Sequence, residues 1–178
     1  MINWHDIASA LCIIPRFNGN TLYGRRVSVA QHCMSVADHL DAEGGTSHLV
    51  LHGLLHDAHE YVLGDMATPV GHALDAILPG ARDAFAELKH RADIAIFTAA
   101  GLDLRRVATE KPRVAAADVA VLMAERDACM SKPPKSWGAE LEAVKPSRWA
   151  RVHGLPDHTE RKNFLLRLET LQKAVARG

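Results

Sequence analysis

Between residues 48 and 60 the chain reads His48-Leu49-Val50-Leu51-His52-Gly53-Leu54-Leu55-His56-Asp57-Ala58-His59-Glu60. His48, His52, His56 and Glu60 recur every fourth residue and fall on one row of a helix. For His48 and His52 a solvated polar face is an equally good reading. His56-Asp57 differs, because it follows two leucines near the predicted helix end. Side chains at i and i+1 diverge by about 100° on an α-helix. The pair shares one ion only if that ion lies beside the helix and other helices bring further ligands. Two candidates fit. His32 lies at the edge of the apolar stripe Val29, Val36 and Leu40, where a hydrogen-bonded core histidine is the alternative. Asp118 shares a face with Val114, Val121 and Leu122, and a carboxylate there is costly unless a cation or strong donor meets it. Its alternative is a buried salt bridge to Arg126 or Arg113. His32, His56, Asp57 and Asp118 together make two imidazoles and two carboxylates from three helices. That donor set suits Zn, Mn, Co or Fe, with positions left for water or substrate.

The elements that must position these groups read as helices with short breaks. Asn3 caps a first helix to Leu11, and Pro15 stops it before a polar loop, Arg16 to Thr21. Ser28 with Gln31 forms a capping box that opens a helix to about Leu40. Thr46 or Ser47 caps the histidine-rich helix, predicted to run through Tyr61 and to end at Gly64. Asp65 to Pro69 is a turn, followed by a short helix from Val70 to Leu78. Ala81 to Ala100 is a long Ala-rich helix with Gly101 at its end. Pro112 suits the first turn of a helix running to Met130, and Lys132 to Gly138 is a loop. Asp157 with Glu160 caps a last helix to Ala176, with Phe164, Leu165, Leu168, Leu171 and Val175 as its stripe. No alternating strand, repeat or linker is evident, so the expectation is one all-helical domain over residues 1–178.

Composition narrows the function classes. The 178 residues are 48% hydrophobic and 24% charged, an ordinary globular balance. Twenty-one basic residues balance twenty-one acidic ones. A neutral chain lacks the footprint of a duplex-coating nucleic-acid binder or a polybasic membrane anchor. No apolar run is long enough to span a bilayer, and the N-terminus lacks secretory-signal features. Cys12, Cys33 and Cys129 lack Cys-x-x-Cys spacing and read as free thiols of a reducing cytoplasm. The eleven histidines are the compositional anomaly.

His…His-Asp…Asp, with 24 residues from His32 to His56 and 61 from Asp57 to Asp118, resembles the HD superfamily of metal-dependent phosphohydrolases. Its small nucleotidase branch is the nearer likeness. Arg16-Phe17-x-Gly19, Ser28-Val29-Ala30-Gln31-His32, Leu54-Leu55-His56-Asp57-Ala58-x-Glu60, Gly64-Asp65-x-x-Thr68-Pro69 and Ala117-Asp118 followed by Glu125-Arg126-Asp127 carry it. The match runs in order from Asp6-Ile7-Ala8 to the last Phe-Leu-x-Arg-Leu helix.

The resemblance implies a helical bundle of the HD type. It implies one divalent transition metal, Zn, Co or Mn, on His32, His56, Asp57 and Asp118, with additional Mg when the substrate is a triphosphate. It makes Arg16 the grip on substrate phosphate and Glu60 the acid that positions or activates water. Asp65 would contact sugar or assist proton transfer, and Phe17, Asn20, Thr68 and Pro69 would line the substrate. Where relatives often carry Lys two residues after the turn proline, this chain has Gly71, then His72. Asn20 stands where many relatives have His. The implied activity is hydrolysis of deoxynucleoside 5′-monophosphates. A dNTP triphosphohydrolase with dATP selectivity is the alternative within the enzyme class, and a non-catalytic nucleotide sensor is the alternative outside it. A cytoplasmic homo-oligomer of bacterial or phage origin is implied, with Ile94, Ile96 and Phe97 available for assembly.

Overall fold

A computed structural model describes residues 2–178, with Tyr23 described by its backbone alone. Among the described residues the regular structure is helical, and the one β-like feature is an isolated bridge between Pro15 and Ser28. Helix α1 (Trp4–Ile13) starts at Asn3, whose side chain accepts from the His5 N–H. Two short 3₁₀ turns follow, Arg16–Gly19 and Leu22–Gly24. Helix α2 (Val29–Ala42) is capped by Ser28, which accepts from the Gln31 N–H. The predicted capping box is half made, because the Gln31 side-chain amide donates instead to the carbonyls of Arg151 and His153. Helix α3 (Ser47–Leu55) is capped by Thr46.

The histidine-rich helix ends six residues earlier than the sequence pattern suggests. Residues 56–59 form a turn, and a separate short helix α4 (Glu60–Leu63) follows. The turn is tied locally by bonds from the Ala58 and Glu60 N–H groups to the carbonyls of Leu55 and Asp57. Gly64, at φ 74°, turns the chain out of α4 through the left-handed region.

Helix α5 (Thr68–Ile77) carries its proline in the first turn, and α6 (Ala81–Ala100) ends on left-handed Gly101 as expected. Helix α7 (Leu104–Cys129) departs from expectation, since Pro112 lies inside it. Asp103 supplies the actual N-cap, accepting from the Arg105 N–H. Pro112 leaves the Ala108 carbonyl without its i+4 donor, but Ala108 and Pro112 are on the exposed face, where water can serve it. A four-residue helix α8 (Ala139–Glu142) and a long α9 (Asp157–Val175) complete the chain. Asp157 and Glu160 do not cap α9. Asp157 pairs with Arg26, and the Glu160 carboxylate accepts from the Ser28 hydroxyl.

Helix α2 is the axis of the molecule. Ten of its residues are buried, and α1, α3, α7 and α9 pack around it. Gly53 lets α3 pack directly on α2, because a Cβ there would collide with the Leu40 side chain. One hydrophobic cluster draws on α1, α2, α3, α6, α7 and α9. Ile96 and Phe97 belong to that cluster, so they are not free for assembly; Ile94 is 40% exposed. The three cysteines are free and buried, and among the described residues no helix is long and apolar enough to cross a membrane.

Candidate metal centre

The fold brings His32 of α2, His56 and Asp57 of the turn after α3, and Asp118 of α7 to one place. His32 Nε2 lies 3.0 Å from Asp118 Oδ1 and 3.8 Å from Asp57 Oδ2. His56 Nε2 lies 3.2 Å from Asp57 Oδ2 and 3.9 Å from Asp118 Oδ1. His32, His56 and Asp118 each offer a ligand atom within 4.8 Å of the others. Asp118 sits at the rim rather than in the apolar interior, with its side chain 36% exposed. The alternative of a salt bridge to Arg126 fails, because Arg126 is engaged by Asp127 and Glu142.

Both imidazoles are fixed through their other nitrogen. His56 Nδ1 meets the Gly53 carbonyl at 2.8 Å, and a carbonyl can only accept, so Nδ1 carries the hydrogen. His32 Nδ1 lies 3.1 Å from each oxygen of Glu125, which likewise places a hydrogen on Nδ1. In the neutral tautomers so defined, both Nε2 lone pairs face the carboxylates. Each Nε2 is buried, and among the described residues neither has a hydrogen-bond partner. Two orphaned lone pairs converging beside two carboxylates fit a divalent transition metal, with the outer hydrogen bonds orienting the ligands.

The electrostatics of the protein alone make the same point. Burial opposes charge on His56, but Asp57 outweighs it and holds the imidazole well above its ordinary range. Burial and Arg16 oppose charge on His32, and Glu125 and Asp118 overcome them. Asp57 is held well below the usual carboxylate range, burial being outweighed by His56, then His32 and Arg16. The acidic pair thus demands positive charge at its centre.

Glu125 had no role assigned from its position in the sequence. It is fully buried and also faces Arg16 Nε at 3.4 Å. The signal was available: Glu125 continues the i+4 row Ala117, Val121, Cys129, all buried, and is seven residues, two turns, beyond Asp118.

Arg16 is not a free loop side chain. It is 8% exposed, with Nη1 3.7 Å from Asp57 Oδ2. Burial works against its charge, but Glu125 and Asp57 hold it protonated. These contacts are long, and among the described residues Arg16 Nε makes no hydrogen bond, so acceptors of the protein do not saturate the guanidinium. The next residues, Phe17 and Asn18, have φ of 56° and 51°, a left-handed conformation unusual for non-glycine residues. Arg16 stacks on the Phe17 ring at 5.7 Å.

Glu60 is 3% exposed with Oε2 unpartnered. Burial first, then Asp57 and Asp65, push its carboxyl up to about 9. Half-buried Asp65 is raised by burial, against Arg16, which lowers it. Thr68 and Pro69 are exposed at the start of α5 and make no hydrogen bond to the cluster among the described residues. Asn20 is exposed and lines a separate cavity with Thr21, Leu22, Arg126, Met130 and Trp137, which includes none of the four candidate ligands.

His48 and His52 do not form a solvated face. They are 5% and 4% exposed and share Glu110 of α7, at 2.8 Å and 3.6 Å from their Nδ1 atoms. His48 Nε2 accepts from the Asp103 N–H, so this cluster ties α3 to the start of α7. His59, unassigned from the sequence, donates from Nδ1 to Asp93 of α6 at 2.8 Å.

No family model matches the chain. It is 34% identical over 171 residues to an uncharacterized protein of Rhodobacter capsulatus, spanning 94% of this chain and 76% of that protein. At that identity and coverage, the chain belongs to one family with the Rhodobacter capsulatus protein.

Proposed function

We propose that the protein is an HD-type metal-dependent phosphohydrolase of small nucleotides, releasing phosphate from deoxynucleoside 5′-monophosphates. The convergence of the orphaned His32 and His56 Nε2 atoms on the Asp57 and Asp118 carboxylates carries this reading. These four residues would hold the ion. When bound, a divalent transition metal there supplies a Lewis acid for phosphoryl oxygen and a more acidic water near neutral pH. Arg16, held beside the cluster only by long contacts to Asp57 and Glu125, receives phosphate oxygens on its guanidinium. Its ion pairs to Asp57 and Glu125 keep the guanidinium where phosphate must arrive. Asp65 acts electrostatically on Arg16, and Glu60 feels both, so the two acidic groups stand within reach of the cluster for proton handling. The partly exposed Asp118 leaves the centre open to a small ligand.

The test is release of phosphate, pyrophosphate and triphosphate from a panel of deoxynucleoside mono- and triphosphates by protein loaded with Mn, Co or Zn. Phosphate release from monophosphates supports the proposal. Triphosphate release from dNTPs instead replaces the substrate with the longer one. Nucleotide binding without turnover in any metal form overturns the enzyme reading in favour of a sensor.

A further inference from the structure

A second group of ligand atoms adjoins the centre just described. Asp57, His59 and Glu60 each offer an atom within 4.8 Å of the other two. His59 is 4% exposed and Glu60 3%, and both His59 Nε2 and Glu60 Oε2 are buried with no hydrogen-bond partner among the described residues. The His59 ring is held by its Nδ1–H, which donates to Asp93 Oδ1 at 2.8 Å, so its Nε2 lone pair is the free one. This is a carboxylate–histidine arrangement of the kind that orients metal ligands. The break between α3 and α4 creates it. On an unbroken helix Asp57 and Glu60 would share a face, but His59 would point about 160° away from Asp57; the turn over 56–59 gathers all three.

We propose that Asp57, His59 and Glu60 bind a second divalent cation, so that Asp57 is common to two ion positions and Asp93 positions His59. This rests on the metal-hydrolase reading above. One imidazole and two carboxylates make a harder donor set than that of His32, His56, Asp57 and Asp118, and favour Mn²⁺ or Mg²⁺. The ligand class is a hard divalent ion.

The experiment is Mn²⁺ titration of chelator-stripped protein, following free and bound Mn²⁺ by electron paramagnetic resonance. Wild type is expected to saturate at two ions per chain, with the exchange-coupled signal of neighbouring Mn²⁺ ions. His59→Leu is expected to saturate at one, without that signal. Should His59→Leu fold poorly, Asp93→Ala serves, since Asp93 is partly exposed; it should weaken the second ion about 10–100-fold and leave the first unchanged. Saturation of wild type at one ion overturns the second site and leaves the first standing. Two ions bound at wild-type affinity in both variants also overturns it. No bound ion in wild type overturns the metal-hydrolase reading itself.

Discussion

Glu125 is the most informative residue to change. It is fully buried, accepts from His32 Nδ1 and faces Arg16 Nε. Glu125→Ala removes the acceptor that fixes the His32 tautomer and one of the two carboxylates holding Arg16. Loss of such an outer hydrogen bond costs roughly 10–100-fold in metal affinity, or about 1.4–2.7 kcal/mol. It also leaves a buried guanidinium short of a partner, a change that costs about 3–5 kcal/mol in folded proteins and lowers Tm by roughly 6–20 °C at this chain length. Glu125→Gln keeps the shape and one acceptor oxygen for His32 but sets an amide beside Arg16, so it should lie near the low end of both ranges. Competition with a chelator of known affinity, read by elemental analysis, gives the order wild type, Gln variant, Ala variant, and thermal melts report the stability cost. If Glu125→Ala holds metal as tightly as wild type, the reasoning that links Glu125 to the His32 Nε2 lone pair is wrong.

Asp57→Ala should lose bound transition metal in elemental analysis, because the same carboxylate faces both imidazoles and Arg16; equal content in variant and wild type would remove Asp57 from the centre. Stripping the metal should abolish nucleotide hydrolysis, with Co, Mn or Zn restoring it better than Ca; full turnover in excess chelator rejects the mechanism. Arg16→Ala should lower kcat as well as raise KM without changing metal content, since a guanidinium does not ligate metal; unchanged steady-state constants would take Arg16 out of the site. Burial, against Glu110, holds His52 down at about 4 from 6.5. The unfolded chain therefore binds the extra proton first, and stability falls by up to about 3 kcal/mol as pH drops from 6.5 to 4. His52→Leu should flatten Tm against pH in that window, and an unaltered slope would show that other groups set it.

The helices were legible where capping and periodicity agreed, as at Asn3, Ser28, Thr46 and the Ala81–Ala100 run closed by Gly101. Pro112 misled because it reads as a helix start, whereas Asp103 supplies a true cap and exposure spares the Ala108 carbonyl. Asp157 and Glu160 have the spacing of a cap, but tertiary partners Arg26 and Ser28 claim them. The grouping of His32, His56, Asp57 and Asp118 was readable because charged and imidazole groups beside apolar stripes need partners. The same reasoning applied to the row Ala117, Val121, Cys129 would have reached Glu125. His59 could not be read this way, since its setting depends on where α3 breaks and on Asp93, 34 positions away.

The bond from the Ser28 hydroxyl to Glu160 has a consequence for the order of assembly. It joins the N-cap of α2 to the first turn of α9 across 132 positions of chain. Arg26 and Asp157 span nearly the same interval. A growing polypeptide that has not yet supplied α9 holds the N-terminal helices with Glu160's place empty and the side of α2 and α3 that α9 covers open to water. Closure of so long a loop comes late and slowly in folding. Helices α1, α2 and α3 thus reach their final burial only after the last helix docks against them, which makes the C-terminal α9 the closing element of the N-terminal assembly.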